Sequence, residues 1–229
     1  MVDFHSHVLP TMDDGARDVS MSLAMLEQAG RQGAETVIAT PHFYLGEDTP
    51  DSFLERRQRC CEQLATQLTP LHPQVRLGAE VLVWEDMSRM DLRPLCIEGT
   101  DTLLVEFPFA RMPHWLVEEL ENIILVQGLT VVLAHLERYM PWYTKADVTA
   151  LLDLPNVVVQ LGCDSLTSRM ELHRIAKWLS EPERLVLGTD MHNTADRAPR
   201  MDRALHTLSR SRTGRRWLAC VEETLPTLL

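Results

Sequence analysis

Residues 2–7 read Val-Asp-Phe-His-Ser-His, a short strand-like run that ends in two histidines separated by one serine. Alternate residues of an extended strand point to the same side, so the imidazoles of His5 and His7 are expected to face one site. A similar succession occurs at residues 36–40, where an apolar run ends just before His42. Short strands that end in reactive side chains indicate a fold that collects its strand ends in one place.

Seven short runs of this kind predict strands at residues 2–5, 36–40, 75–81, 102–107, 130–134, 157–161 and 185–189. The stretches between and after them predict helices at residues 19–32, 51–67, 115–127, 145–152, 169–179, 196–208 and 215–223. Asp18 and Gly33 suit the N-cap and the C-terminal stop of the first helix. Apolar strands separated by helices indicate buried parallel strands, either closed into a barrel or doubly wound in an open sheet.

The positions of the polar residues favour the barrel. An open sheet concentrates functional groups at one switch point, whereas a barrel brings the C-terminal end of every strand to one mouth. Nearly every predicted strand ends in such groups, namely His5, His7, His42, Glu80, Glu106, His135, Gln160, Asp190 and His192. We therefore predict an α/β chain in which residues 1–229 form one barrel domain, with its site at the C-terminal ends of the strands.

The composition of the 229-residue chain is that of a globular protein, with 45% apolar and 24% charged residues. The net charge of −11 disfavours a nucleic-acid partner, because a phosphate backbone prefers a basic surface. No apolar run approaches the roughly 18–20 residues of a membrane span, and residues 1–7 lack the basic leader of an export signal. The five cysteines form no Cys-x-x-Cys pair. These features predict reduced thiols, no stable membrane insertion and a cytoplasmic location.

Imidazole and carboxylate groups together suit Zn²⁺, Mn²⁺ and Fe²⁺ as ligands. Glu80 and Glu106 lie inside apolar runs, where an unpaired buried carboxylate is costly. A carboxylate can bridge two cations, and two cations about 3.5–4 Å apart can hold a phosphoryl group between them. The remaining histidines are expected at the surface or in ordinary packing, namely His72, His114, His173 and His206.

Residues 163–169 offer an alternative mechanism, because Cys163 and Arg169 match the Cys-x5-Arg pattern of thiolate phosphatases. A cysteine at a helix N-terminus can act as a nucleophile of low pKa. Against this, the loop lacks the internal glycines that turn backbone amides toward phosphate, and Gly162 stands where a histidine is expected. The two alternatives differ in their response to Cys163→Ser, which abolishes only a thiolate enzyme.

Six motifs follow one another along the chain: DFHSHVLPTMDDGARD (3–18), ATPHF (39–43), GAEV (78–81), VEFP (105–108), AHLERY (134–139) and GTDMHN (188–193). Together they resemble the PHP (polymerase and histidinol phosphatase) superfamily, and more narrowly its bacterial tyrosine-phosphatase branch of the CpsB/CapC/YwqE type. The resemblance runs from Asp3 to about Pro199. It implies a distorted (β/α)7 TIM-like barrel with three divalent metal ions, manganese first, with iron or zinc as alternatives.

The resemblance also implies roles for individual residues. It places ligands on three metals: His5, His7, Glu80 and Asp190 on the first, Glu80 as a bridge with Glu106 and His135 on the second, and Asp14, His42 and His192 on the third. Arg138 and Arg197 match the arginines expected to bind phosphate. The nucleophile implied by the resemblance is a metal-bound hydroxide that attacks the phosphorus in line, with no protein nucleophile.

The implied activity is hydrolysis of phosphotyrosine on a protein, in particular the tail of a bacterial tyrosine autokinase that regulates capsule or exopolysaccharide synthesis. Hydrolysis of histidinol phosphate or another small phosphomonoester is an alternative, and a metal-stabilised scaffold without turnover is a third. Four aromatic residues that follow strands are expected to be exposed, namely Phe43, Tyr44, Trp142 and Tyr143. They are candidates to surround the phenol ring of the substrate, and the alternative is that they only pack the loops.

Three positions depart from the pattern of the family. Thr11 replaces a glycine, Leu136 replaces a proline, and Gly162 replaces an asparagine. None of the three is a metal ligand implied by the resemblance. The departures therefore bear on loop shape and substrate preference more than on catalysis.

Overall fold

The structure is a computed structural model that describes residues 1–179 and 182–229. Its strands are β1 (Val2–Ser6), β2 (Thr36–Ala39), β3 (His42–Phe43), β4 (Gln74–Leu77), β5 (Glu80–Leu82), β6 (Thr102–Glu106), β7 (Thr130–Leu133), β8 (Val157–Gly162) and β9 (Leu185–Gly188). All seven predicted strands are present, and every ladder between them is parallel. The strand predicted over residues 75–81 is divided into two short segments, β4 and β5, and a short unpredicted segment, β3, follows the strand predicted over residues 36–40.

The breaks fall at Pro41, between β2 and β3, and at Gly78, between β4 and β5. Proline has no N–H group to continue a ladder, so the second strand cannot run on unbroken. Pairing nevertheless continues across both breaks, because Gly78 N donates to Ala39 O at 2.8 Å and Glu80 N donates to Pro41 O at 3.0 Å. The prediction of one continuous strand over residues 75–81 was wrong, although the course of the chain was predicted correctly.

The ladders form two sheets, in the orders β1–β2–β4 and β3–β5–β6–β7–β8–β9. The outer strands of the two sheets meet where the end of β1 passes the end of β9. Ser6 forms a parallel bridge with Met191, Asp190 N donates to His5 O at 2.8 Å, and His7 N donates to Met191 O at 3.0 Å. With β2 continuing into β3 and β4 into β5, these contacts arrange seven strand units in a ring. This is the expected distorted barrel.

The interior of the ring is filled by apolar side chains, one from each of six strands: Phe4, Ile38, Leu104, Val132, Val158 and Val186. All six are completely buried, so the interior is a packed core and not a channel. They form a cluster separate from the larger one that joins the outer faces of the strands to the helices. Alternate residues of a strand thus face two different cores.

The helices are α1 (Val19–Arg31), α2 (Pro50–Ala65), α3 (Leu116–Gln127), α4 (Lys145–Leu152), α5 (Arg169–Leu179), α6 (Met201–Ser209) and α7 (Arg212–Thr224). Six of them begin and end within three residues of the predicted bounds. The Asp18 side chain caps α1 by accepting a hydrogen bond from Met21 N, and Gly33 follows the helix with a φ of +97°. In the described part of the chain, no helix combines the length and apolarity that crossing a membrane requires.

The prediction that a helix begins at residue 196 was wrong, because α6 begins only at Met201. The preceding segment is held as a loop by Gln32 of the distant α1–β2 connection. Gln32 Nε2 donates to Pro199 O at 2.8 Å, and Gln32 Oε1 accepts from Met201 N at 2.9 Å. This loop carries Arg197 to the C-terminal end of the barrel.

Candidate metal centre

Two histidines of the β1 region face the carboxylates of Glu80 and Asp190. His5 Nε2 lies 3.1 Å from Glu80 Oε2 and 3.7 Å from Asp190 Oδ1. His7 Nε2 lies 3.3 Å from each of the same two oxygens. All four side chains are buried. The His-x-His spacing therefore does bring both imidazoles to one site.

Glu80 lies at the centre of the cluster, and its two oxygens contact different histidines. Its Oε1 lies 2.9 Å from His135 Nε2, and its Oε2 lies 3.0 Å from His42 Nδ1. Glu106 contacts the same pair, with Oε1 3.2 Å from His42 Nδ1 and Oε2 3.9 Å from His135 Nε2. The pairing of β3 with β5 places His42 directly opposite Glu80.

Asp14 lies at the outer edge of the cluster and is the most exposed of the nine implied ligands. Its Oδ1 lies 3.2 Å from His192 Nε2 and 3.5 Å from His42 Nε2. His42 thus presents one ring nitrogen to Glu80 and the other to Asp14. The resemblance implied a single metal for His42, whereas this geometry places it between two groups of ligands.

The nine residues form four overlapping groups among the described residues, each with its ligand atoms within 4.8 Å of one another: His7, Asp14, His42 and His192; His5, His7 and Asp190; His5, Glu80 and His135; and His42, Glu80 and Glu106. The other four histidines belong to none of these groups. His114, His173 and His206 are exposed, and His72 is partly exposed.

Several buried atoms of the cluster have no hydrogen-bond partner in the described part of the chain, including His42 Nδ1, Glu80 Oε2, Glu106 Oε1 and His192 Nε2. These atoms lie close to one another without hydrogen-bond geometry, which is how ligand atoms converge on a cation. The carboxylates also favour positive charge. Burial lowers the pKa of His42, but contacts with Glu106 and Glu80 outweigh it and raise that pKa to about 10. The cluster therefore fits divalent metals that take nitrogen and oxygen ligands.

Two residues behind the cluster orient its imidazoles. His5 Nδ1 lies 3.0 Å from Gln160 Oε1, and His7 Nδ1 lies 2.7 Å from Asp13 Oδ2. Both partners are acceptors, so each Nδ1 carries the proton and each Nε2 presents its lone pair to the cluster. Burial raises the pKa of Asp13, but the hydrogen bond with His7 outweighs it and lowers the pKa to about 2. Sequence reasoning assigned no role to Asp13, and the Asp-Asp pair was its only signal.

Two of the clustered residues have a left-handed backbone conformation, His135 with φ +32° and Asp190 with φ +51°. Each is the second residue after a strand, His135 after β7 and Asp190 after β9. Such conformations are costly for residues other than glycine and persist where surrounding contacts hold them. Gln160 holds one of them, since its Oε1 accepts from His135 N at 2.7 Å.

Arg138 and Arg197 both contact Asp190 from the open side of the cluster. Arg138 Nη2 lies 2.5 Å and Arg197 Nη2 lies 2.9 Å from Asp190 Oδ2. Arg197 Nη1 also lies 3.5 Å from Asp14 Oδ2. Their side chains are 28% and 40% exposed, so both guanidinium groups remain accessible beside the carboxylates.

A cavity of about 350 Å³ opens above the cluster, lined by His42, Tyr44, Glu80, Glu106, Phe109, His135, Arg138, Asp164, Asp190 and Arg197. The expectation that Phe43 and Tyr143 are exposed was wrong, because both pack in the core. Tyr44 lines the cavity, and Trp142 is exposed next to it but packs on Phe109. Sequence reasoning missed Phe109, whose exposure depends on how its loop folds back over Tyr139.

The thiolate alternative does not fit this geometry. Cys163 is completely buried, and burial together with the nearby carboxylates of Asp3 and Asp164 raises the pKa of its thiol well above the ordinary value. Arg169 is exposed and donates to Arg210 O at 3.1 Å. A buried thiol of raised pKa cannot serve as a thiolate nucleophile.

The structure bears on two of the three departures from the family pattern. Thr11 has a φ of +56°, a left-handed conformation that glycine adopts without strain. Gly162 leaves room for the carboxylate of Glu137, because a Cβ at this position would lie 2.8 Å from Glu137 Oε1. Leu136 is buried in the helical turn Leu136–Tyr139, and nothing in the structure explains its replacement of proline.

A ring of parallel strands with imidazoles, carboxylates and two arginines at its C-terminal end defines a TIM-like barrel with a candidate metal centre. The chain belongs to the CpsB/CapC family of capsular polysaccharide synthesis, whose model matches residues 1–220. This assignment agrees with the resemblance seen in the six sequence motifs.

Three relatives similar in sequence are tyrosine-protein phosphatases. The chain is 36% identical over 144 residues to tyrosine-protein phosphatase YwqE of Bacillus subtilis, a match that covers 60% of this chain and 55% of YwqE. It is 29% identical over 142 residues to tyrosine-protein phosphatase CpsB of Streptococcus agalactiae, which covers 61% and 58%. The chain thus spans little more than half the length of these two relatives. The match to CpsB of Streptococcus pneumoniae is 25% identical over 227 residues and covers 92% and 90%.

One solved structure is similar to this chain over its whole length. It comes from work on YwqE from Bacillus subtilis and CpsB from Streptococcus pneumoniae, which are described there as unique metal-dependent tyrosine phosphatases. The TM-score is 0.80 at 24% identity, covering 100% of this chain and 96% of the other. This likeness confirms the barrel fold predicted from the sequence.

Proposed function

We propose that this protein is a metal-dependent phosphomonoester hydrolase that acts as a protein-tyrosine phosphatase. The observation that supports this most is the placement of two accessible arginines on Asp190, at the edge of a buried cluster of imidazoles and carboxylates. Positive donors for phosphate oxygens and ligands for divalent cations therefore meet in one cavity. The names of the relatives, which are tyrosine-protein phosphatases, support the same activity.

The residues proposed to hold three divalent ions, manganese first, are the nine of the cluster: His5, His7, Asp14, His42, Glu80, Glu106, His135, Asp190 and His192. Metals bound there would supply Lewis-acid charge to the phosphoryl oxygens and to the attacking water. Gln160 and Asp13 keep the Nε2 lone pairs of His5 and His7 directed into the cluster.

Arg138 and Arg197 are the proposed phosphate-binding residues. A guanidinium group donates two parallel hydrogen bonds to two phosphate oxygens, which also fixes the orientation of the phosphoryl group. Because both arginines now share Asp190 Oδ2, that carboxylate holds them side by side at the cavity wall. Their charge would stabilise the negative charge that spreads over the transferring oxygens.

The proposed substrate is a phosphotyrosine-containing protein, in particular the tail of a bacterial tyrosine kinase that regulates capsule or exopolysaccharide synthesis. The family's description as one of capsular polysaccharide synthesis supports this partner. We further propose a cytoplasmic location. We also propose that residues 1–229 form one domain, because the candidate ligands come from strand units that extend from β1 to β9.

The decisive experiment measures phosphate release from a phosphotyrosyl peptide by the purified protein, with EDTA and after addition of Mn²⁺, Fe²⁺ or Zn²⁺. Activity should be lost with EDTA and restored by a metal, and Cys163→Ser should retain it. His42→Ala and Asp190→Ala should abolish it. Activity that survives EDTA and is lost in Cys163→Ser would refute the metal-dependent mechanism.

The same assay separates the substrate classes. Histidinol phosphate and the phosphotyrosyl peptide are compared at equal concentration with the same metal. Turnover of the peptide at a much higher kcat/KM is expected. Metal-dependent turnover of histidinol phosphate alone would retain the hydrolase and discard the protein phosphatase.

A further inference from the structure

Two aromatic rings line the same cavity as the arginines, Tyr44 and Phe109. The ring of Tyr44 stacks on His42 with centroids 5.1 Å apart and an interplanar angle of 22°. The ring of Phe109 stacks on His135 at 6.0 Å and 22°. His42 and His135 contact different oxygens of Glu80, so each aromatic ring stacks on a histidine that contacts this carboxylate.

Contacts with neighbouring residues restrain Phe109 and the loop that follows Tyr44. Phe109 packs against Trp142 with ring centroids 5.6 Å apart, and half of the Phe109 residue remains exposed to solvent. The loop after Tyr44 is tied down by the ion pair of Asp48 Oδ2 with Arg56 Nη2 at 2.6 Å. Fixed rings lose little conformational freedom when they bind a ligand.

We propose that Phe109 and Tyr44 bind the aromatic ring of an aryl phosphate, and that they make the site select phosphotyrosine over phosphoserine and phosphothreonine. This inference rests on the proposed function for the phosphate end of the substrate. An aryl ring would cover the exposed face of Phe109, whereas the short alkyl groups of the other two phosphoamino acids would leave it in water. The cavity of about 350 Å³ is of a size that holds small ligands.

The first test measures binding without turnover, using phenylphosphonate and methylphosphonate on the metal-loaded full chain by calorimetry. Both probes offer the same charged group, so their affinity ratio reports the aromatic contact alone. Phenylphosphonate is expected to bind at least about tenfold more tightly than methylphosphonate. Phe109→Ala should remove about tenfold of that preference and leave methylphosphonate binding unchanged. Tyr44→Leu should reduce it in the same direction.

The matched control is Leu71→Ala, which removes an exposed apolar side chain outside the cavity and should change neither affinity. Unchanged methylphosphonate binding in Phe109→Ala shows that the variant is folded and still holds its anion site. Equal affinity of the wild-type protein for the two probes, or a phenyl preference that persists in both Phe109→Ala and Tyr44→Leu, would overturn the inference.

The second test separates this inference from the proposed function. In the peptide assay, Phe109→Ala should raise KM for the phosphotyrosyl peptide about tenfold with little change in kcat. If the wild-type protein turns over the peptide but binds phenylphosphonate no more tightly than methylphosphonate, the aromatic binding site is refuted and the proposed phosphatase activity is supported. The protein could instead bind phenylphosphonate more tightly than methylphosphonate, lose this preference in Phe109→Ala, and turn over no peptide. That result would support the aromatic binding site and refute the proposed phosphatase activity.

Discussion

Residue 162 lies where two carboxylates leave no room for a side chain. A Cβ there would lie 2.8 Å from Glu137 Oε1 and 2.9 Å from Asp164 Oδ1. Glu137 is buried and cannot retreat freely, because Gly162 N lies 3.2 and 3.3 Å from its two oxygens. Since Glu137 adjoins Arg138 in the chain, packing at this residue affects the turn that carries a phosphate-binding candidate.

Gly162→Ala should therefore lower the free energy of unfolding by about 1–3 kcal/mol, the usual cost of overpacking a filled site. Denaturant unfolding measures this change. The control is Gly30→Ala in α1, where the new Cβ meets only the Pro73 ring, at 3.3 Å, and where alanine favours the helix. A Gly162→Ala variant as stable as the wild type would show that Glu137 has room to move.

At Thr11 the unfavourable feature is the backbone conformation, whereas at residue 162 it is the lack of space for a side chain. A β-branched residue at φ +56° is strained, while asparagine tolerates this conformation through its short polar side chain. Thr11→Asn should raise the free energy of unfolding by about 0.5–1 kcal/mol. Thr11→Ala keeps a Cβ in the same conformation and should give no such gain. A loss of stability in Thr11→Asn would show that the threonine makes contacts that outweigh its strain.

At the scale of elements, the join between β1 and β9 depends on a buried acid at the start of the chain. Asp3 Oδ1 accepts from Thr189 N at 2.7 Å, and Asp3 Oδ2 accepts from Thr189 Oγ1 at 2.6 Å. The donors lie just after β9, next to Asp190. Asp3 thus fixes the position at which the ring closes and at which two sets of candidate ligands meet.

Asp3→Ala should leave both donors of Thr189 buried without a partner, which costs about 1–3 kcal/mol for each group left unsatisfied. A fall of this size in the free energy of unfolding is expected by chemical denaturation. Asp18→Ala, which removes the cap of α1 at the surface, serves as the comparison and should cost about 1 kcal/mol. An equal or smaller loss in Asp3→Ala would mean that the closure does not depend on this acid.

Element by element, the strands were predictable because each is short and carries apolar residues between stretches with the pattern of helices. The parts that failed depend on contacts far apart in the sequence. The start of α6 is set by Gln32, which is 169 residues away from Met201, and local periodicity carries no information about that contact. Likewise, Phe43 ends β3 and Phe109 lies in the loop after β6, and only the packed structure shows that the first is buried and the second exposed.

The candidate site was predictable at the level of which residues gather, because parallel strands in a ring must bring their C-terminal ends together. Its internal arrangement was not. The double contact of His42, with Glu80 through one nitrogen and Asp14 through the other, depends on ring orientation. The choice of Asp13 as the partner of His7 depends in the same way on a turn that brings Gly15 N to Asp13 Oδ1.

At the scale of the whole molecule, the candidate ligands connect strand units on all sides of the ring. The cluster takes residues from β1, β3, β5 and β6 and from the segments after β7 and β9. In the unfolded chain these residues are far apart, so a metal binds the folded protein far better than the unfolded one. Metal binding is then part of the stability of the entire barrel.

Removing the metals should therefore lower the melting temperature of one cooperative transition. A metal at a concentration of 100 times its Kd contributes about 2.7 kcal/mol, which corresponds to about 5–10 °C for a chain of this size. Calorimetry with EDTA, and again after excess Mn²⁺, measures the shift, and His42→Ala should reduce it. Two transitions of which only one responds to metal would contradict a single domain over residues 1–229. An equal melting temperature with and without metal would contradict the centre itself, because ligands contributed around the whole ring cannot bind a metal without stabilising that ring.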